Sequence, residues 1–260
     1  MEFAFEFGDT QQSEAFFTRH PQFYQAFERL ARLSNVSFGP RHVSSRLADV
    51  CHRFGNTCRN DFLEILFLAV NGHGIGATKL LRGMYERVVT LAYILKHPEK
   101  VDRFIHYAAV GEHRMIQEAR RLFSDEEINA SFRDNSIEAI QENYEKYKAK
   151  FLRKDGKRVA PSWDVDFASQ VRDLGSPFLD YYLSAYLLPN SHVHATLTSI
   201  MLPAERQPPE LHADLTLMMA HVLFIKVIEL HAPLFGLSID AELDQCNGDF
   251  QDAWLAQRSP

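Results

Sequence analysis

A cation and a carboxylate stand four residues apart at Arg82 and Glu86, in a stretch with helical periodicity. In a helix this spacing puts both side chains on one face, where they can pair. Tyr93 follows one heptad beyond Glu86. Because apolar positions border this face, an unpaired charge on it would be costly. Two interpretations fit the spacing: a structural ion pair, or an arginine that Glu86 holds in position to bind an anion inside a helical bundle.

A second polar cluster, Asn-Ser-His-Val-His, runs from Asn190 to His194 directly after Pro189. The proline predicts a break, and Asn190 or Ser191 can cap the helix that follows. His192 and His194 would then lie near a helix N-terminus, where the cationic imidazole is disfavoured and a neutral ring can accept a proton. A metal site is disfavoured, because residues i and i+2 of a helix point apart and no acidic or cysteine partner stands at ligand spacing.

A strongly basic run occupies residues 148–158, where six cations accompany Asp155, and Lys146 lies just upstream. The six cations are Lys148, Lys150, Arg153, Lys154, Lys157 and Arg158. Such a run is typical of a solvated surface loop, and it also has the charge to dock a polyanion through its phosphates. Tyr147 and Trp163 flank the run and are candidates to stack on nucleic-acid bases.

Residues 62–70 form an apolar run that is followed by three alternating glycines, Gly72, Gly74 and Gly76, and then by a helical pattern. Strand, glycine turn and helix in this order resemble the entry to a dinucleotide site. The third glycine is misplaced for that motif, the run is rich in Leu and Phe, and no further strands follow to build a parallel sheet. We therefore expect a turn between two helices, with Gly74 and Gly76 allowing the helices to approach closely.

Helices must position these side chains, because strand signals are almost absent from the sequence. Apolar residues recur with helical periodicity in several long segments, one of them at about 41–70. Ser124 and Glu127 form a capping box that starts a polar helix reaching about residue 151. These patterns predict an all-α bundle of about eight to ten helices.

Length and composition define the class of protein. The chain has 260 residues, a formal charge of −6 and 46% hydrophobic residues, which is typical of a globular chain. We expect a single helical domain over residues 1–260, and we interpret the charged stretch at about 146–162 as a loop within it. The mild acidity disfavours a protein that coats nucleic acid generally, although it is compatible with a local basic patch.

Three cysteines, Cys51, Cys58 and Cys246, exclude a disulfide framework and favour a reducing, cytoplasmic location. The N-terminus lacks the basic and apolar regions of a signal peptide, and no window of eighteen uncharged apolar residues predicts a membrane span. We expect no membrane association, no bound metal and no cofactor.

The segment ending at Glu86 reads GATKLLRGMYE, a Leu-x-Arg-x-x-x-Glu helix followed by Tyr93, and a later block combines Tyr182 with Ser-x-x-His at 191–194. These two separated blocks resemble the bacterial domain-of-unknown-function family numbered 5677, over about residues 60–200. The resemblance implies an all-helical fold whose biochemistry is unassigned.

The chain is more distantly similar to the HEPN superfamily (higher eukaryotes and prokaryotes nucleotide-binding), which contains small helical RNases with an Arg-Asn-x-x-x-His motif. Asn190 and His194 match the Asn and His of that motif, whereas Pro189 occupies the Arg position. Arg82 is a candidate to supply the missing cation from another helix. The resemblance implies a homodimer that acts on RNA or a nucleotide.

On this resemblance the expected function is metal-independent RNA cleavage of the defence or toxin type. His194 would take the 2′-hydroxyl proton, Arg82 would stabilise charge on the phosphate, and Glu86 would fix Arg82. The expected substrate-binding residues are Tyr93, Asn190, Ser191, His192, Lys154, Lys157 and Arg158. Two other classes stay open: a non-catalytic helical binding or interaction protein, and a metal or small-molecule site in the bundle core.

Overall fold

The computed structural model describes residues 9–131, 136–193 and 209–255. Within these ranges 81% of the residues are helical and no strand forms, although a single antiparallel bridge joins Leu152 and Val159. The described ranges contain eleven α-helices of six or more residues. The all-α prediction is confirmed. Because the apolar run before Gly72 is helical, it is not the strand that a dinucleotide site would require.

We number these helices in chain order. They are α1 Thr10–Arg19, α2 Phe23–Phe38, α3 Arg46–Val70, α4 Gly74–Lys96, α5 Val101–Ala119, α6 Asp125–Ser131, α7 Ile137–Tyr147, α8 Phe167–Leu174, α9 Leu188–Val193, α10 Pro209–His231 and α11 Asp240–Leu255. A helical turn, Phe178–Tyr181, and a π-helical segment, Tyr182–Leu187, lead without a break into α9.

Helix α3 begins later than the apolar pattern indicates. The backbone of Ser45 is extended, and its hydroxyl accepts a hydrogen bond from the Ala48 amide at 3.1 Å. A capped N-terminus of this kind satisfies one of the free amides of the first turn. The helix therefore starts at Arg46 instead of directly after Pro40.

The predicted capping box is present at the start of α6. The Ser124 amide donates to Glu127 Oε2 at 2.8 Å, and the Glu127 amide donates to Ser124 Oγ at 3.4 Å. The prediction of one polar helix from here to about residue 151 is wrong. Ser136 has an extended backbone and caps a new helix, α7, by accepting a hydrogen bond from the Ala139 amide at 3.3 Å.

The chain divides into two compact units, residues 97–170 and the remainder. In the remainder, which we call the α3–α4–α10 unit, these three long helices pack against one another and bury large side chains such as Phe62, Tyr85 and Phe224. Helices α2 and α11 pack against α10. In the 97–170 unit α5 packs on α7, and its buried cluster consists of Ile116, Ile128, Ile137 and Ile140.

The central helix α10 belongs to an unusually apolar span. By length and composition the span His212–Phe235 could cross a membrane, with a mean hydropathy of 1.6. The window is 61% buried inside the chain, and the core helix of a globular protein passes the same test. The span is therefore weak evidence for a membrane protein, and its packing accounts for its composition.

Gly74 confirms one of the two predicted close approaches. A Cβ at this position would lie 2.8 Å from the backbone N of Ala213 and 2.9 Å from its Cα, which is closer than atoms can approach. Only glycine lets the start of α4 meet the backbone of α10 in this way. A Cβ at Gly76 would make an ordinary contact with the Leu68 side chain at 3.5 Å, so Gly76 is not required for close approach.

The predicted break at Pro189 is wrong, because the helix runs through it. Proline has no amide proton, and in an α-helix its ring clashes with the carbonyl four residues before it. The preceding π-helical segment changes this geometry, since the Leu188 amide bonds to the Leu183 carbonyl, five residues back. The wider π turn accommodates the proline and keeps residues 178–193 continuous.

We expect Gly74→Ala to lower the free energy of unfolding of the α3–α4–α10 unit by about 1–3 kcal/mol, because the new methyl group overpacks the α4–α10 contact. Gly248→Ala is the matched control, since this glycine lies within α11 and a Cβ there meets nothing within 4 Å. The control should gain about 0.5–1 kcal/mol through helix propensity. Chemical denaturation of both variants measures the difference. Equal stabilities would contradict the close approach.

Candidate functional site

Arg82 and Glu86 form the predicted ion pair on α4. Arg82 Nη2 donates to Glu86 Oε1 at 3.1 Å, and the guanidinium lies over the ring of Tyr186, 5.0 Å from its centroid. Tyr186 belongs to the π-helical segment, which packs against α4. A carboxylate on one side and an aromatic ring on the other therefore hold the guanidinium in one orientation.

The exposure of this pair limits its contribution to stability. The side chains of Arg82 and Glu86 are 25% and 36% exposed, and solvent-screened i,i+4 pairs contribute only about 0.3–0.5 kcal/mol. Within the described residues, Arg82 Nε is buried and has no hydrogen-bond partner. The pair therefore stabilises the fold little, and its arginine keeps one buried donor that no described residue satisfies.

The second predicted cluster lies on α9, which packs against α4. Ser191 caps no helix, because it lies inside α9 and its hydroxyl donates to the Leu188 carbonyl at 2.7 Å. Asn190 Oδ1 and His192 Nδ1 are buried and have no hydrogen-bond partner among the described residues. An unpaired buried polar atom costs about 1–3 kcal/mol. This part of the unit therefore holds buried polar groups that no described residue satisfies.

Two threonines and a histidine complete the polar cluster. Thr78, on α4, donates to the Gly74 carbonyl at 2.9 Å. Its Oγ1 also lies 2.8 Å from His212 Nε2 and 2.8 Å from Thr216 Oγ1, both on α10. The ring centroids of His212 and His192 are 5.7 Å apart, and the two rings are nearly perpendicular, at 79°. Helices α4, α9 and α10 thus each contribute to one cluster.

The sequence interpretation missed Thr78, His212 and Thr216 as functional candidates. A histidine that occurs singly is usually a core or surface residue, and nothing near His212 in the sequence distinguishes it. The only available signal was spacing, since Thr78 precedes Arg82 by four residues and His212 precedes Thr216 by four. Each pair shares a helix face, but the sequence does not show that the two faces meet.

Both histidines of the cluster favour the neutral form. Burial lowers the pKa of His192, and the ammonium of Lys79 lowers it further. Burial also lowers the pKa of His212, with a smaller effect from His192. A neutral imidazole can accept a proton near neutral pH, and Arg82 and Lys79 supply positive charge from α4. The chemistry that fits these residues is the binding of an anion with proton transfer next to it.

Two other predicted site residues are His194 and Tyr93. His194 lies outside the described residues, so its role as base stays a prediction. Tyr93 is 3% exposed, because α4 is buried on every side from Leu91 to Ile94. Its ring packs in the core and is not presented to a substrate, which corrects its predicted place in substrate binding.

The predicted basic residues Lys154, Lys157 and Arg158 are exposed on a hairpin of the 97–170 unit, closed by the bridge between residues 152 and 159. At its tip Asp155 Oδ1 accepts hydrogen bonds from the amides of Lys157 and Arg158 at 2.9 and 3.2 Å. These amides hold the pKa of the Asp155 carboxyl below its usual value. The hairpin, which we call the basic hairpin, is therefore an ordered turn and not an unstructured charged loop.

Two arginines of α5 anchor the basic hairpin through backbone carbonyls. Arg103 donates to the carbonyls of Trp163 and Lys150 at 2.6 and 2.8 Å, and Arg114 donates to that of Ala160 at 2.7 Å. Trp163 is buried and packs edge-on against a phenylalanine of α5, so it is not free to stack on bases as predicted. The hairpin presents its cations from a preorganised frame, which lowers the entropic cost of binding a polyanion.

An apolar groove of about 360 Å³ lies among α1, α2 and α3, and the residues of the polar cluster do not line it. Phe17, Tyr24, Leu63 and Phe67 are exposed along it, with Tyr24 at 65% and Phe67 at 62%. Among the described residues, none that lines the groove is charged. It is thus a hydrophobic surface typical of binding and unsuited to proton transfer.

Two further histidines are buried in the core of the α3–α4–α10 unit. Trp254 Nε1 donates to His221 Nδ1 at 3.2 Å, and His231 Nε2 lies 3.3 Å from His52 Nδ1. Burial lowers the pKa values of His221 and His231 to about 3. Neither belongs to the polar cluster. In the part of the chain that the structure describes, no three His, Cys, Asp or Glu side chains are grouped to hold a metal ion.

The fold and the cluster define an all-α protein with a polar site between the helices of a bundle. Residues 48–206 match the family of unknown function DUF5677, and the chain belongs to that family. The predicted family resemblance is confirmed. No curated protein and no solved structure matches the chain. The matched region includes Arg82, Glu86 and His192, whereas His212 lies beyond its end.

The buried histidines predict a loss of stability in acid. Since the pKa values of His221 and His231 are about 3 in the folded chain and about 6.5 when unfolded, only the unfolded state takes up these protons between pH 6.5 and 3. The free energy of unfolding should fall as the pH drops through this range, by up to about 1.4 kcal/mol per pH unit for each histidine. Burial raises the pKa of Asp61 to about 6, which offsets part of this slope.

Denaturation at several pH values measures the slope of the free energy of unfolding against pH. His231→Gln should reduce this slope by the amount that corresponds to the uptake of about one proton on unfolding. His42→Gln is the control, because His42 is exposed and should leave the slope unchanged. Imidazole resonances of His221 or His231 that titrate near pH 6.5 in the folded chain would contradict the prediction.

The basic hairpin predicts a salt-dependent affinity for single-stranded RNA. The double charge reversal Lys154→Glu with Lys157→Glu should weaken binding of a labelled oligonucleotide and reduce the slope of log Kd against log salt by roughly 1–2, since fewer counterions are released. The control reverses Arg32 and Arg53, two exposed cations that are outside the hairpin and give the same change in net charge. If both double variants show the same slope as the unaltered chain, the hairpin is a solvated loop.

Proposed function

We propose that the chain is a metal-independent ribonuclease or nucleotide-directed helical enzyme of the defence or toxin type, with Arg82 as the phosphate clamp and a histidine as base. The observation that carries the proposal is the polar cluster on α4. Its arginine is held by Glu86 and Tyr186 and has an unused buried Nε, and two histidines that favour the neutral form lie on the neighbouring helices. Family membership by itself leaves the biochemistry open.

The proposed reaction assigns each group one role. The 2′-oxygen of RNA attacks the adjacent phosphorus and the 5′-oxygen leaves, so negative charge develops on the phosphate oxygens. Arg82 stabilises this charge, and Glu86 acts as its positioning residue. A neutral histidine accepts the 2′-hydroxyl proton, for which the sequence motif proposes His194. Asn190, Ser191 and His192 are the proposed substrate contacts on the adjoining helix.

The basic hairpin supports RNA over a free nucleotide as the substrate. Lys154, Lys157 and Arg158 are exposed on one ordered turn, and a row of cations gains most from a chain of phosphates. We propose a cytoplasmic location because the three cysteines are free and buried. We propose a homodimer because of the HEPN resemblance alone.

A non-catalytic interaction protein is the second candidate, and the apolar groove supports it. The groove of about 360 Å³ exposes aromatic rings, among them Tyr24 and Phe67, and the described residues that line it are uncharged. Exposed aromatic patches of this kind mark surfaces where proteins bind partners.

Incubation of the purified chain with labelled single-stranded RNA, with and without EDTA, tests the first proposal. Cleavage that leaves a 2′,3′-cyclic phosphate should persist in EDTA. Arg82→Ala should lower kcat by roughly 100-fold or more, as expected on removal of a donor to developing charge. The melting temperature should change little, because the Arg82–Glu86 pair is partly exposed.

Arg53→Ala is the matched control, since Arg53 forms a comparable i,i+4 pair with Asp49 on α3. It should retain full activity. Cleavage that is lost in EDTA would contradict the proposal and favour a metal site in the bundle core. Absence of cleavage under both conditions would favour the interaction protein.

A further inference from the structure

The Thr78 hydroxyl makes three hydrogen-bond contacts, although a hydroxyl carries one proton and two lone pairs. Its Oγ1 contacts the Gly74 carbonyl, His212 Nε2 and Thr216 Oγ1 at 2.9, 2.8 and 2.8 Å. A carbonyl oxygen only accepts, so the Thr78 proton must point to Gly74. The other two groups must then donate to Thr78.

These donor and acceptor roles determine the tautomer of His212. Its Nε2 carries the proton and donates to Thr78, so the lone pair of the neutral ring lies on Nδ1. No hydrogen bond joins Nδ1 to a described residue. A histidine with one nitrogen held by a fixed hydroxyl and the other nitrogen basic has the arrangement of an oriented general base.

We propose that His212 is the general base of the ribonuclease site, with Thr78 as its positioning residue and His192 as the general acid. The inference rests on the proposed function and assigns its proton transfers to described residues. The His192 ring lies 5.7 Å from that of His212, and its Nδ1 is buried without a partner. Thr78 precedes Arg82 by one turn on the same face of α4. The base His212, which contacts Thr78, and the phosphate clamp Arg82 therefore lie along the same face of this helix.

Each proton moves between named groups. His212 Nδ1 takes the 2′-hydroxyl proton while the 2′-oxygen forms its bond to phosphorus. The bond from phosphorus to the 5′-oxygen breaks, and that oxygen takes a proton from the His192 imidazolium. The products are a 2′,3′-cyclic phosphate and a 5′-hydroxyl. His212 is left protonated and His192 neutral, and exchange with solvent restores both.

Burial gives this pair an acidic pH optimum. Other charged or titratable groups on the elements packed against α9 include Lys79, Arg82 and Glu86 on α4, and Tyr182 and Tyr186 on the π-helical segment, and among these Lys79 lowers the pKa of His192 further. The pKa values of both histidines are lowered, mainly by burial, so His192 is cationic only on the acidic side of its ordinary range. We expect a bell-shaped profile of kcat/KM against pH, with its maximum at a pH below about 6.5.

Cleavage of a ribodinucleoside monophosphate in EDTA tests the assignment. His212→Gln and His192→Gln should each lower kcat at least 100-fold. For His212→Gln, binding of the 2′-deoxy dinucleotide should stay within twofold. Thr78→Val should lower kcat about tenfold and shift the acidic limb of the pH profile, and Thr78→Ser should restore both. His42→Gln is the control for an exposed histidine and should retain activity.

The nitrogen resonances of His212 give a readout independent of activity, and they should show protonated Nε2 and unprotonated Nδ1. The opposite tautomer, or cleavage that needs Arg82 but survives His212→Gln, would overturn the inference and leave the proposed function standing. Absence of EDTA-resistant cleavage by the unaltered chain would contradict both the inference and the proposed function. If His212→Gln does not fold, the two Thr78 variants test the assignment instead. Equal kcat values and equal pH profiles for Thr78→Val and Thr78→Ser would overturn it.

Discussion

The contact between Gly74 and the backbone of Ala213 determines how α4 and α10 meet, and the candidate site depends on it. Without a Cβ at position 74 the two backbones come within van der Waals distance, which no other residue allows. The next turn of α4 then places Thr78 against His212 and Thr216. Since a helix is a stiff element, the same contact also determines where the following turn presents Arg82.

The polar cluster differs from the rest of α4. Elsewhere α4 buries apolar side chains such as Leu81, Met84 and Val88, which stabilise the core by leaving water. Around Arg82 and His192, buried nitrogens have no partners among the described residues, and the adjoining helix contains a π-helical segment. Unpaired buried polar atoms and π-helical turns are both enriched at functional sites, because each costs stability that packing alone would not demand.

The two compact units provide different chemical surfaces. The α3–α4–α10 unit holds neutral histidines and an oriented guanidinium, which suit proton transfer beside an anion. The 97–170 unit presents the basic hairpin, whose position depends on carbonyls bound by Arg103 and Arg114. Both arginines bind backbone carbonyls, whereas Lys154 and Lys157 are exposed at the hairpin tip. Charge counted along the sequence does not make this distinction, because it treats every arginine alike.

Much of the fold could be predicted from local patterns. Helical periodicity and the absence of strand signals indicated an all-α chain, and the capping box at Ser124 and the Arg82–Glu86 pair were both read correctly from spacing. Local rules failed at Pro189, where the π-helical segment accommodates a residue that normally ends a helix. They also failed at Tyr93, whose helix face looks amphipathic in sequence but is covered on all sides in the packed core.

The sequence by itself determined the helices and the side chains that share a face within each helix, because these follow from the 3.6-residue period and from interactions between residues three or four apart. Only the tertiary structure decided which faces meet. His212 became a candidate base through its contact with Thr78, 134 positions earlier in the chain. The physical reason is that this contact depends on the crossing of α4 and α10 at Gly74, and long-range packing of this kind leaves no periodic pattern in the sequence.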